Sequence, residues 1–226
     1  QGCKAVVING DDALTNPLVP GTVTQKSFSL GDPDVGQFGL REEAGTPWMV
    51  QGLKPILAVN KLAMFGRHNV ANALAALALG QAVGLPMEAM TKTLTVFTGL
   101  SHRCEWVADI DGVAYINDSK GTNIGATVAA LEGLGPALTG KIMLIAGGLG
   151  KGADFSELVA PLSRYGKQVV LIGRDANDIE MALVGKVRCI HAQDMQSAVS
   201  IAHAQAVSGD LVLLSPACAS FDAYAN

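Results

Sequence analysis

The sequence predicts an α/β protein whose second half is a Rossmann-like, mostly parallel sheet with helices on both faces. Short apolar runs at 142–146, 169–172 and Leu211–Leu214 alternate with helical stretches, the grammar of strands buried on both sides. Polar and glycine-rich segments follow those runs directly, as they do where the carboxyl ends of parallel strands carry a ligand. With 226 residues, 49% of them apolar, the chain has material for one large core or two modest ones.

The elements follow in order. Residues Ala5–Asn9 (AVVIN) form a nearly all-apolar strand of the kind buried in a parallel sheet. Residues 15–65 read as a small antiparallel excursion, with strands at 26–30, 36–41, 48–51 and 56–59 broken by Gly and Pro. Val70, Leu74 and Leu77 recur at helical spacing in 69–83, Gly84-Leu85-Pro86 stops that helix, and a second runs over 87–95. The pattern changes near residue 99, which divides the chain into 1–98 and 99–226. Strands at 105–108 and 113–116 flank Asp111-Gly112, a hairpin pair. Strands at 142–146, 169–172, 188–190 and 211–214 then alternate with helices near 124–133, 155–164, 177–184 and 194–206.

Composition narrows the function. Only 16% of residues are charged and the net charge is −4, so a basic surface for nucleic acid or a polybasic membrane patch is excluded. No apolar stretch approaches the roughly 20 residues of a membrane helix, and no basic-then-apolar leader is present. Cys3, Cys104, Cys189 and Cys218 are scattered, without a CxxC or metal-ligand spacing to the histidines, which gives no metal site and fits a reducing cytoplasm. The first strand has almost nothing before it and a helix is starting at the end, so the expectation is part of a longer protein.

The run Ile116-Asn117-Asp118-Ser119-Lys120-Gly121-Thr122-Asn123 leaves a strand and opens a helix. Unpaired amides and the helix dipole favour an anion there, and Lys120 adds a full positive charge. Asp118, Ser119 or Asn123 also suits a simple helix cap. Gly147-Gly148-Leu149-Gly150-Lys151 lets backbone approach an anion that the lysine neutralises, and serves equally as a tight βα turn. It is neither a Walker A loop nor GxGxxG. Arg103, in the connector after His102, is suited to a phosphate or carboxylate, or to solvent. His68-Asn69 with Asn72 opens a helix, as caps or as amides facing a base edge. The segment 215–220 lacks a GxSxG elbow and a placed histidine, so its hydroxyls and amides suit gripping a small carboxylate rather than nucleophilic attack. His191 and His203 receive no role.

Taken together, Gly66-Arg67-His68-Asn69-Val70-Ala71-Asn72, Phe97-Thr98-Gly99-Leu100-Ser101-His102-Arg103, the 117–123 run, Gly147-Gly148 with Lys151, and Ser215-Pro216-Ala217-Cys218-Ala219-Ser220 with Asp222 resemble the Mur ligases over nearly the whole chain. The 117–123 run and the 215–222 segment match the member that adds D-glutamate. Two mild departures are Gly121, where alanine is usual, and Leu149, where an acidic residue is.

The resemblance implies a three-domain cytoplasmic, monomeric enzyme of peptidoglycan synthesis that joins D-glutamate to UDP-N-acetylmuramoyl-L-alanine with ATP and Mg2+. Residues 1–98 would be the end of its central ATP-binding domain, and 99–226 most of the domain that delivers the amino acid. Asn72 would face adenine; Arg103, Asp118 and Lys120 would reach ribose and phosphates, with Lys120 and Arg103 catalytic. Thr122, Lys151, Ser220 and Phe221 would hold D-glutamate. The family's P-loop, its magnesium ligands and its carbamylated lysine would precede Gln1, leaving the chain alone inactive, and closure about the connector would assemble the site. The rivals are a Mur-type or folylpolyglutamate-type ligase for another substrate, and a non-catalytic nucleotide-binding module.

Overall fold

The structure is a computed structural model that describes residues 2–18 and 21–219, and the chain divides into two units between Thr98 and Gly99. The first unit contains β1 (Ala5–Asn9), β2 (Thr24–Phe28), β3 (Phe38–Glu43), β4 (Thr46–Gln51) and β5 (Lys54–Ala58), paired in that order. Helices α1 (Arg67–Ala82) and α2 (Met87–Leu94) complete it. Val70, Leu74 and Leu77 of α1 pack with Phe38 and Met49 of the sheet, as their spacing requires. A side chain at Gly80 would collide with the Met90 sulfur, so glycine lets α2 close on α1.

This sheet corrects one expectation. Only β3, β4 and β5 are antiparallel; β1 runs parallel to β2, and β2 meets β3 in parallel at the Phe28–Phe38 pair. The long connection over residues 10–23 makes the difference, because parallel neighbours need a crossover whereas a two-residue turn forces antiparallel pairing. Such a turn does join β3 to β4, where Ala44 (φ 49°) and Gly45 (φ 77°) are both left-handed.

The second unit holds β6 (Glu105–Ile110), β7 (Val113–Asn117), α3 (Ile124–Leu134), β8 (Ile142–Gly147), α4 (Val159–Tyr165), β9 (Gly166–Ile172), α5 (Ala176–Leu183), β10 (Arg188–His191), α6 (Met195–Gln205) and β11 (Leu211–Leu214). Its sheet has the order β10-β9-β8-β11-β7-β6, parallel throughout except for the β6 edge. Asp111 (φ 55°) and Gly112 (φ 77°) turn β6 into β7 as the Asp-Gly pair predicts.

Helices cover both faces. Ile142, Leu144 and Ala146 of β8 pack toward α3, α4 and α5, while Met143 and Ile145 join Ala198 and Ala202 of α6 on the other side. The two-residue alternation of a strand produces this division. Truncating a fully buried Leu144 to alanine would cost about 2–5 kcal/mol.

The stretch expected as one helix over 155–164 is a 3-10 turn (Phe155–Leu158) followed by the short α4, and β9 begins at Gly166 without a loop. Proline at 161 sits in the first turn of α4, where its missing amide costs nothing.

Candidate functional site

Four loops leave the carboxyl ends of β7, β8, β9 and β11, and hydrogen bonds sew them together. The Asp118 amide donates to Leu214 O (2.7 Å), Ala217 N–H to Gly121 O (2.9 Å), and Gly147 N–H to Pro216 O (2.9 Å). Leu149 and Ala219 exchange amide bonds in both directions, at 2.7 and 3.1 Å. Asp175, after β9, gives its amide to Gly148 O (3.0 Å) and accepts the Gly150 N–H on Oδ2 (2.7 Å). The sequence places the glycines: at φ 125° and 130°, Gly147 and Gly148 occupy backbone open only to glycine. A side chain there would strike Ile172 O or Ala219 O.

Asp118 lies beneath this roof, 7% exposed. Its Oδ1 accepts the Cys104 N–H (3.2 Å) and its Oδ2 accepts the Ser215 hydroxyl (2.7 Å). Thr127 Oγ1 stands 2.9 Å from Ser215 Oγ. These bonds fill the space beside Gly121, where a Cβ would meet Asp118 Oδ2 and come within 2.6 Å of Ser215 Oγ. Burial foremost, then the Asp118 charge, pushes the Cys104 thiol up to about 12.

The hydroxyl of Ser215, in the segment read as suited to a small carboxylate, is wholly buried and given to Asp118. Thr127 drew no notice in the sequence. The signal for Thr127 was a hydroxyl on the apolar stripe of α3, among Ile124, Ala130, Leu131 and Leu134.

A cleft of about 440 Å³ opens above, lined by Thr122, Asn123, Ile124 and Gly125 at the start of α3, by Leu149, Gly150 and Lys151, and by Ala217–Ala219. Asn123 does cap α3, its Oδ1 accepting the Ala126 N–H at 2.9 Å. The cap satisfies one amide and leaves those of Ile124 and Gly125 ahead of any intrahelical carbonyl. Lys151 carries its ammonium from a left-handed backbone (φ 53°), a cost of about 1–2 kcal/mol for a non-glycine residue. Asp154 and Glu157 line the same cleft. The Ser156 N–H holds the Asp154 carboxyl below the usual carboxylate range, so the cleft offers charges of both signs.

Lys120 is exposed, and its amide donates to His102 O at 3.0 Å. Arg103 is also exposed, and neither side chain makes an ion pair or hydrogen bond among the described residues. Asn72 is exposed on α1 in the first unit, 3.3 Å from Asn69 Oδ1. Ser220 and Phe221 lie outside the described residues. Among the described residues no group of three or more His, Cys, Asp or Glu stands together as a metal ion requires. No described helix is long and apolar enough to cross a membrane.

Comparison with known proteins adds to this geometry. Residues 102–218 match the family described as "Mur ligase, glutamate ligase domain". The chain is 51% identical over 99% of its length to the UDP-N-acetylmuramoylalanine--D-glutamate ligase of Acinetobacter baylyi, of which it covers 51%. It is 52% identical over its full length to the protein of the same name from Nitrosococcus oceani, covering 49% of it. The chain therefore spans about half the length of the curated relatives it matches. Among solved structures, the MurF ligase of Thermotoga maritima in complex with ADP superimposes with a TM-score of 0.66 at 16% identity, over 93% of this chain and 49% of that one. The folylpolyglutamate synthase of Mycobacterium tuberculosis, complexed with ADP and AMPPCP, gives 0.62 at 16% identity over 86% of this chain and 47% of that one. At such identities these two likenesses speak to the fold.

Proposed function

The chain belongs to the Mur ligase family, and we propose that it forms the amino-acid-delivering half of an ATP-dependent ligase joining D-glutamate to UDP-N-acetylmuramoyl-L-alanine in peptidoglycan synthesis. On this reading residues 1–98 end a central ATP-binding domain and 99–226 bring the amino acid. The complete protein works as a cytoplasmic monomer and draws its magnesium ligands from outside this chain.

One observation carries the reading. The cleft at the start of α3 combines a lysine, helix amides and two acidic side chains, which complements a zwitterion better than a bare phosphate. Relatives about half identical over the whole chain are named for D-glutamate ligation, which supports that zwitterion being D-glutamate.

The chemistry asks little covalent work of these residues. The alanyl carboxylate attacks the γ-phosphorus of ATP and releases ADP, forming an acyl phosphate. The D-glutamate amine then attacks its carbonyl carbon, and the tetrahedral intermediate expels phosphate. Lys120 and Arg103 neutralise charge on the transferring phosphoryl group, and Asn72 faces adenine. Thr122 and Lys151, with Ser220 and Phe221, hold D-glutamate so that its amine points at the acyl carbon. Asp118 serves the nucleotide from beneath the loop.

Phosphate release by the full-length protein, given ATP and UDP-N-acetylmuramoyl-L-alanine, tests this. D-Glutamate is expected to support turnover, and L-glutamate, L-alanine and diaminopimelate are not. Turnover driven by one of those instead, or by a folate acceptor, overturns the assignment. Lys120→Ala should lower kcat about 100-fold while the fold persists.

A further inference from the structure

The segment carrying Arg103 is built around two left-handed non-glycine residues, His102 (φ 66°) and Cys104 (φ 46°). Such backbone persists only where its surroundings hold it. Three of the holders come from the end of β7 and the loop after it: Asn117 Nδ2 stands 3.0 Å from His102 Nδ1, the Lys120 amide bonds His102 O at 3.0 Å, and Asp118 Oδ1 takes the Cys104 N–H at 3.2 Å. The His102 amide is taken by Glu105 Oε2 at 2.9 Å. The backbone on either side of Arg103 is thus tied, and the Arg103 side chain itself is exposed.

Asp118 is itself held from the opposite side. A carboxylate only accepts, so the Ser215 proton points to Asp118 Oδ2, and the Thr127 hydroxyl donates to Ser215 Oγ at 2.9 Å, with Ser215 O a longer second acceptor at 3.4 Å. Thr127 and Ser215 are both fully buried. Thr127, Ser215, Asp118 and the Cys104 amide thus form one proton-ordered chain from the core of α3 to the connector.

We infer that Ser215 and Thr127 are positioning residues, which act through Asp118 to fix Arg103 for the nucleotide phosphates. This rests on the proposed nucleotide role of Arg103, and extends it to two buried hydroxyls on other elements.

Kinetics on the full-length protein test it. Ser215→Ala should lower kcat/KM for ATP about tenfold and leave KM for D-glutamate within about twofold, because only Arg103 moves. Thr127→Val should give the same split more weakly, Thr127→Ser should restore it, and either valine or alanine variant can carry the cycle if the other fails to fold. In an Arg103→Ala background, Ser215→Ala should cost less than about twofold further. If the two losses multiply, Ser215 does not act through Arg103 and the inference is overturned, while the nucleotide site stands. If Arg103→Ala alone leaves ATP kinetics unchanged, the placement of Arg103 fails and the inference falls with it.

Discussion

Lys167 Nζ and Asp210 Oδ2 meet at 2.6 Å at the amino ends of β9 and β11, the end of the sheet away from the cleft. Asp210 is only 3% exposed and also accepts the amides of Lys141 (2.8 Å) and Val207 (3.0 Å). Removing it orphans two amides and an ammonium together. Asp210→Ala should therefore destabilise the second unit by about 3 kcal/mol, read from urea unfolding of the chain. Lys167→Met, which keeps the two amide bonds, should cost less.

The same carboxylate sets an acid limit. Burial raises its pKa, but the bonds from Lys167, Lys141 and Val207 outweigh that, leaving it below the ordinary 3.8. A depressed folded-state pKa contributes stability above the unfolded value, lost as pH falls through the folded one. The stability difference between the native chain and Asp210→Asn should hold steady from about pH 8 to 5 and shrink below about pH 4. A constant gap down to pH 2.5 would show that Asp210 is not the acid-sensitive group.

Much of the second unit was legible because its signals are local. The apolar run of β8, the Asp-Gly turn and the Asn123 cap each act within a few residues of themselves. What stayed hidden depends on partners far apart in sequence. Nothing beside Ser215 announces that its hydroxyl belongs to Asp118, 97 residues earlier. The direction of β2 was likewise decided by its pairing with β1, and its own residues suit either direction. Lys120 and Lys151 were readable as cations because glycine-rich strand ends carry them. The cleft's acidic partners, Asp154 and Glu157, sit past the motif and drew no notice.

Lys151 combines a strained backbone with a charge facing the cleft, and two substitutions separate these. Lys151→Gly should be more stable than Lys151→Ala by about 1 kcal/mol, since glycine occupies φ 53° at no steric cost. Both should raise KM for D-glutamate in the full-length protein to a similar degree. Equal stability of the two would mean the loop relaxes once the lysine side chain is gone.

Cysteine chemistry reports on the interior independently of any activity. The reactive species is the thiolate, so reactivity follows both exposure and pKa. Cys3 is exposed, whereas burial foremost, reinforced by Asp118, pushes Cys104 up to about 12, and burial with Glu180 pushes Cys189 up to about 11. Iodoacetamide at pH 8 should therefore modify Cys3 first, with Cys104 and Cys189 lagging by orders of magnitude, as peptide mass mapping would resolve. Asp118→Asn should quicken Cys104 only modestly, because desolvation is the larger cause and the substitution leaves it in place. A large acceleration would mean that the carboxylate also holds the connector shut over the thiol.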